Sequence, residues 1–217
     1  MKKTGIKKVK GPFGGKRGLY FPGKPNAYLV FGNKNNNLHF RSFTMFTWIR
    51  QRNGIRNGPI LEYKGYSRRG QGTHFWIWRN TLYINLVHNH RKSYAVAFPK
   101  FKGMLPKNKW NFVGVSYDSK KRTLLMWING RTYVRRTPGA FIPDTVGKLY
   151  MGTRPSNKRF HPFKGYLSGV SILPYAVSPK GLPRFLIHIN AKLGREILHC
   201  ELICRNVLAL SKCFLLY

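Results

Sequence analysis

From Leu19 to about Ser178 the chain is written in short apolar runs cut by Gly, Pro and Asn. "LHFRSFTMFTWIRQ", "HFWIWRNTLYINLVH", "WNFVGVSYD" and "TLLMWING" are rich in aromatic and β-branched residues, the composition of half-buried strands. Several runs alternate with period two. In "FWIWRN", Phe75 and Ile77 share one face and Trp76 and Trp78 the other. Asn129-Gly130 is the dipeptide preferred for a type I′ hairpin turn. No long 3.6-residue period precedes residue 180. The pattern predicts about ten short strands and an all-β sandwich rather than βαβ units. Trp48, Trp110, Phe112 and Trp127 stand in strand patterns and are the expected core anchors.

The two ends read differently. Residues 1–17 are Lys- and Gly-rich and predict a basic, flexible arm. They start with cations but lack the apolar stretch of a secretory signal. Residues 18–182 hold the strand text. Residues 183–217 form a hydrophobic tail with helical character from about Arg195. This tail either packs on the sandwich, binds a partner, or is foreign to the domain. All three cysteines, Cys200, Cys204 and Cys213, lie in it, and an odd clustered set makes no disulfide framework. No run of apolar residues is long enough for a transmembrane helix.

Charge changes the picture more than hydrophobicity does. Of 217 residues, 40 are Lys or Arg and only 5 are Asp or Glu, for a net charge of +35. Few cations can have a carboxylate partner, so the surface should attract polyanions. The cations cluster: Lys7, Lys8 and Lys10; Arg68 and Arg69; Lys120, Lys121 and Arg122; Arg135 and Arg136; Arg154, Lys158 and Arg159. These are the candidate polyanion-binding residues. The same imbalance argues against catalysis and metal binding. Glycoside hydrolysis needs a pair of carboxylates. Glu62 and Asp118 are the only acids in the first 140 residues. Asp118 reads as a turn cap, and Glu62 as the surface partner of a nearby cation. His88 and His90 share a strand face, but no third ligand accompanies them. No catalytic residue, metal site or cofactor is expected.

Three segments resemble, in order, the laminin G-like and pentraxin-like domains of the concanavalin A-like superfamily. "SFTMFTWI" resembles the opening strand through Ser42, Phe43, Thr44, Trp48 and Ile49. "KWNFVGVSYDSKKRTLLMWINGR" resembles the central hairpin through Trp110, Val113, Val115, Tyr117, Asp118, Asn129 and Gly130. "KLYMG" with "FKGYLSGVSILPYAVSP" resembles the closing strands through Gly152, Phe163, Gly165, Ile172, Tyr175 and Ser178. The resemblance implies an antiparallel jelly-roll β-sandwich and an extracellular, lectin-like role. In pentraxins the segment after the Gly152 position carries acids that bind calcium. Here it reads "TRPSNKRFHP", and Arg154, Lys158 and Arg159 stand where calcium would need about six to eight oxygens. The expectation is therefore a calcium-independent module for sulfated or acidic glycans, acting in adhesion or the extracellular matrix. Nucleic acid or an acidic protein is the alternative partner, the former through exposed aromatics such as Tyr63, Tyr66 and Tyr94.

Overall fold

The computed structural model describes residues 5–52, 57–65, 70–88, 92–100, 104–186 and 214–215. Among them fourteen strands follow one another, with almost no helix. They are β1 (Lys7–Gly11), β2 (Gly14–Pro22), β3 (Leu29–Phe31), β4 (Phe43–Gln51), β5 (Gly58–Lys64), β6 (Gln71–Trp78) and β7 (Thr81–His88). There follow β8 (Lys92–Ala97), β9 (Asn111–Asp118), β10 (Thr123–Ile128), β11 (Arg131–Arg136), β12 (Leu149–Met151), β13 (Lys164–Leu173) and β14 (Phe214–Leu215). The larger sheet runs β1-β2-β13-β4-β9-β10-β11, with β14 pairing β13; the smaller runs β3-β12-β5-β6-β7-β8. Every pairing is antiparallel. The architecture is a jelly-roll sandwich.

One core lies between the sheets. Met45 and Ile49 of β4, Val113, Val115 and Tyr117 of β9, and Leu124 and Met126 of β10 enter it from the larger sheet. Phe75 and Ile77 of β6 and Leu82, Ile84 and Leu86 of β7 meet them from the smaller one. The Asn129-Gly130 turn between β10 and β11 takes positive φ at both residues, 48° and 82°. Asn129 also ties the hairpin to β9: its Oδ1 accepts the Phe112 amide at 2.8 Å, and its Nδ2 donates to Asn111 Oδ1 at 2.8 Å.

A second apolar cluster covers the outer face of the larger sheet, and it accounts for part of what the sequence misassigns. Trp127 is fully buried there, packed with Phe46, Phe112, Leu125, Leu173 and the turn at residues 182–186. A Cβ on Gly114 would fall inside the Trp127 indole, so the opposite strand must carry glycine. Trp48 and Trp110, expected in the core, are only half-buried. The reason is parity: Met45 and Ile49 face inward, so Phe46 and Trp48 face outward. Tyr63, expected at the surface, is fully buried, and its hydroxyl donates to the Leu38 carbonyl at 2.9 Å.

The ends also differ from expectation. Residues 7–17 are not an arm. They belong to the β1–β2 hairpin, in which Lys7 pairs with Tyr20 and Val9 with Gly18, and β2 continues onto β13. Lys-rich text reads as a tail, but cations are also what an edge strand carries to discourage further pairing. Of the tail, residues 183–186 extend the turn on the outer cluster, and β14 pairs with Ser171 and Ile172. The rest of the tail, with its three cysteines, lies outside the described residues.

This packing separates the tryptophans by cost. Trp127→Ala should lower stability by about 3–5 kcal/mol, the usual penalty for emptying a buried aromatic site. Trp110→Ala, which removes a half-buried ring, should cost under about half of that. Urea unfolding followed by circular dichroism checks both, and equal midpoints for the two variants contradict the assignment.

Candidate functional site

The outer face of the smaller sheet is aromatic because its strands send their second parity outward. Trp76 pairs with Tyr83 across β6 and β7, and His74 stands between Glu62 and Asn85. Tyr150 of β12 lies opposite Glu62. The segment 152–163 starts at Gly152, whose φ is 85° and whose Cβ would sit 2.7 Å from the Phe21 ring. That left-handed residue turns the chain away from β12. The segment then lies against this aromatic face.

Arg154 makes the central contact. Its guanidinium carbon is 4.5 Å from the Trp76 ring centre and 4.6 Å from that of Phe160. Its Nε is 3.7 Å from Glu62 Oε1. The other carboxyl oxygen, Oε2, accepts from the Trp76 indole at 2.8 Å. Glu62 is therefore not a surface acid: it is fully buried, and Arg154 is only 17% exposed. Arg154 is correspondingly packed between two rings rather than fully exposed. The 3.7 Å gap is too long for a hydrogen bond, so Glu62 Oε1 and Arg154 Nε are both left without one.

Burial acts on Glu62 against its two partners. Loss of solvent raises its pKa, while Arg154 and the Trp76 hydrogen bond pull it down; the net result is a carboxyl pushed up to about 8. At neutral pH it is mostly protonated, and Arg154 keeps its charge uncompensated. His74 shifts the other way. Burial lowers its pKa to about 4, so it is a neutral imidazole whose Nδ1 donates to the Gly72 carbonyl at 2.9 Å.

Around this buried centre lies an accessible rim. Trp78 and Tyr83 are half-buried with ring centres 6.3 Å apart, and exposed His161 stands edge-on to Trp78 at 6.1 Å. Phe160 lies 4.4 Å from His161. Lys158 donates to the Tyr28 hydroxyl at 2.8 Å, and Tyr28 neighbours Tyr150 at 5.9 Å. Arg159 is exposed. Cations and open ring edges thus share one surface.

The other basic clusters are elsewhere. Lys7, Lys8 and Lys10 line β1, one edge of the larger sheet, and Arg135 and Arg136 line β11, the opposite edge. Thr123 pairs with Arg136, which brings the Lys120, Lys121 and Arg122 turn beside them at one corner. Asp118 caps that turn by accepting the Lys121 amide at 3.0 Å. Arg68 and Arg69 fall outside the described residues, as do Tyr66 and His90. His88 Nδ1 accepts the Ile142 amide at 2.8 Å. Among the described residues no three His, Cys, Asp or Glu side chains are grouped as a metal would need, and Glu62 and Asp118 sit on different sheets. Trp78 and Tyr83 were open to discovery from the alternation of β6 and β7. Phe160 and His161 were not, because only the folded loop brings them over the sheet.

The two shifted groups give opposite pH effects. Folded Glu62 keeps a proton that the unfolded chain releases near 4.5, so its stabilisation is lost as pH rises toward about 8. His74 stays neutral when folded, so its contribution is complete above about 6.5 and is lost toward about 4. Between pH 6.5 and 8 only Glu62 of this pair acts. Stability should therefore fall there with a slope of up to about 1.4 kcal/mol per pH unit. Glu62→Gln keeps an acceptor for Trp76 and should flatten that decline while leaving the acid-side loss; chemical denaturation at four pH values measures both.

Residues 22–181 match the laminin G family model of the concanavalin A-like lectin/glucanases superfamily. No curated protein matches the sequence. The fold is similar to that of a native heptameric SAP-like pentraxin from Limulus polyphemus, with 17% identity and a TM-score of 0.57, over 74% of this chain and 77% of the pentraxin. It is similar to domains LG4-5 of the mouse laminin alpha1 chain, with 18% identity and a TM-score of 0.58, over 78% of this chain and 45% of that one. It is also similar to the botulinum neurotoxin serotype D ligand binding domain in complex with N-acetylneuraminic acid, with 11% identity and a TM-score of 0.63, over 86% and 45%. This chain thus spans less than half of the laminin and neurotoxin chains. At such identities the likeness is one of fold. The family match covers most of the chain and agrees with the two-sheet architecture, and the chain belongs to the laminin G family of the concanavalin A-like lectin/glucanases superfamily.

Proposed function

We propose that this protein is a non-catalytic, calcium-independent glycan-binding module, and that sulfated or carboxylated polysaccharides are its ligands. The observation that carries this reading is the 152–163 segment laid over the aromatic face of the smaller sheet. It sets Arg154 over Trp76 and Phe160, Lys158 over Tyr28 and His161 edge-on to Trp78, with Arg159 exposed on the same segment. A sugar ring offers C–H groups to an aromatic surface and its acid group to a cation, and guanidinium binds carboxylate or sulfate in a two-pronged geometry. Glu62, pushed toward its neutral form by burial, does not offset the Arg154 charge. The sialic acid complex of a fold neighbour supports an acidic sugar as the kind of ligand. The net charge of +35 supports a polymer rather than a single residue, because it extends the attracting field over the surface. Family membership supports a role in adhesion or the extracellular matrix as part of this proposal.

The basic edges have a simpler use. Cations on β1 and β11 discourage sheet-to-sheet pairing whether or not they touch a ligand. Their contribution to binding should be diffuse, and that of the loop local.

Two double variants separate these. Lys158→Ala with Arg159→Ala and Lys8→Ala with Lys10→Ala each remove two exposed charges. Titration of a heparin fragment by calorimetry should show the loop variant at least tenfold weaker than the edge variant, with no change on adding chelator. Trp78→Ala should weaken binding by a comparable factor without changing its salt dependence. Equal losses in the two double variants, or binding restored by calcium, overturn the proposal.

A further inference from the structure

The outer face of the larger sheet carries a second basic-aromatic surface, remote from the 152–163 segment. In register across β1, β2, β13 and β4 stand Lys7, Tyr20, Tyr166 and Arg50. Trp110, immediately before β9, continues the row beyond Arg50. Their inward-facing neighbours Phe21, Leu167 and Ile49 are buried in the core, so this row faces out. Tyr20 and Tyr166 have ring centres 5.1 Å apart. The Arg50 guanidinium lies 4.0 Å from the Tyr166 ring centre and 5.3 Å from that of Trp110. The three rings and Arg50 are half-buried, and Lys7 is exposed.

The rows on either side define the shape and the charge. On one side Gly18 pairs with Ser168, and Ser168 with Trp48, so two small residues form a low floor. Beyond it stand Trp48 and the 46%-exposed Phe13, with ring centres 5.2 Å apart. On the other side is exposed Lys164, which pairs with Pro22, and exposed Arg52 follows two residues after Arg50. None of the carboxylates among the described residues, Glu62, Asp118 and Asp144, belongs to these rows. Arg50 Nε has no hydrogen-bond partner. The row covers about 19 Å, at roughly 4.8 Å per strand, long enough for several nucleotides of an extended strand.

We propose that this sheet face binds single-stranded nucleic acid, its bases stacking on the Tyr20–Tyr166–Arg50–Trp110 ladder and its phosphates meeting Lys7, Lys164 and Arg52. Aromatic rings and guanidinium planes both accept a base by stacking, without regard to its identity. Arg50 lies 4.0 Å from the Tyr166 ring centre, so guanidinium and ring form one continuous stack rather than separate platforms. The flanking cations supply the sequence-independent, salt-sensitive attraction of a phosphate chain. This surface is independent of the glycan face and stands or falls without it.

The parent protein itself provides the first test. Fluorescein-labelled dT15 is compared by anisotropy with a fifteen-residue abasic deoxyribose phosphate at the same salt. The phosphates are identical, so a ladder that stacks bases should bind dT15 at least tenfold tighter, with quenching of tryptophan emission; equal affinity overturns the proposal. rU15 against dT15 then assigns the source, RNA or DNA, by the tighter of the two. Tyr166→Ala with Trp110→Ala should weaken dT15 binding at least tenfold, consistent with the loss of two stacking platforms. Heparin binding by the same variant should stay within twofold of the parent. If the variant loses heparin as much as dT15, this face belongs to the glycan and the assignment is wrong. The Lys158→Ala, Arg159→Ala variant should bind dT15 within threefold of the parent, and a loss as large as that of the ladder variant likewise counts against it.

Discussion

Two sheets can share one core only if every strand sends alternate residues inward, and that parity decides where each aromatic ring of this chain ends. The inner set closes a single core in which most side chains are fully buried. The outer set is just as rich in aromatics, so both outer faces must be dealt with. On the larger sheet, the turn at residues 182–186 covers Trp127 and its neighbours but leaves the Tyr20–Arg50–Trp110 row uncovered. On the smaller sheet, the 152–163 segment covers Trp76 and meets Trp78 only edge-on through His161, leaving Trp78 half-buried. Both remnants are half-buried, and each shares its face with a cation held on a ring, Arg50 on one and Arg154 on the other; these are the two candidate surfaces.

A chain with so few carboxylates cannot settle its cations in salt bridges, and this one uses ring faces instead. Arg50 rests on Tyr166 and Trp110, Arg154 on Trp76 and Phe160, Lys158 on Tyr28, and Arg135 on Tyr133. A ring face attracts a cation without neutralising it. Charge held this way remains available to an anionic ligand, whereas an ionised carboxylate would cancel it. The one buried acid beside such a cation, Glu62, is itself pushed toward the neutral form by burial. The two-sheet scaffold thereby carries positive charge that its few carboxylates do not offset.

How much of this was legible varies by feature, for physical reasons. The fold class was, because period two in "FWIWRN" and the Asn129-Gly130 turn are local properties, and three family motifs stand in order. The fate of individual tryptophans was not. Trp48 and Trp127 belong to equivalent-looking strands, yet the second is buried because Gly114 and the 182–186 turn admit and cover it. The N-terminal cations read as an arm because the pairing of Lys7 with Tyr20 depends on β2 already lying against β13.

The sequence by itself determined the β-sandwich, the family, the excess of positive charge and the shortage of acids, since each rests on composition or on contacts close along the chain. Only the tertiary structure decided which cations meet which rings. Glu62 and Arg154 are far apart in sequence, and so are Arg50 and Tyr166; strand order and the path of one loop bring them together. The period-two pattern sets which side of a sheet a residue faces. It does not set what covers that side, and the character of both candidate surfaces depends on that covering.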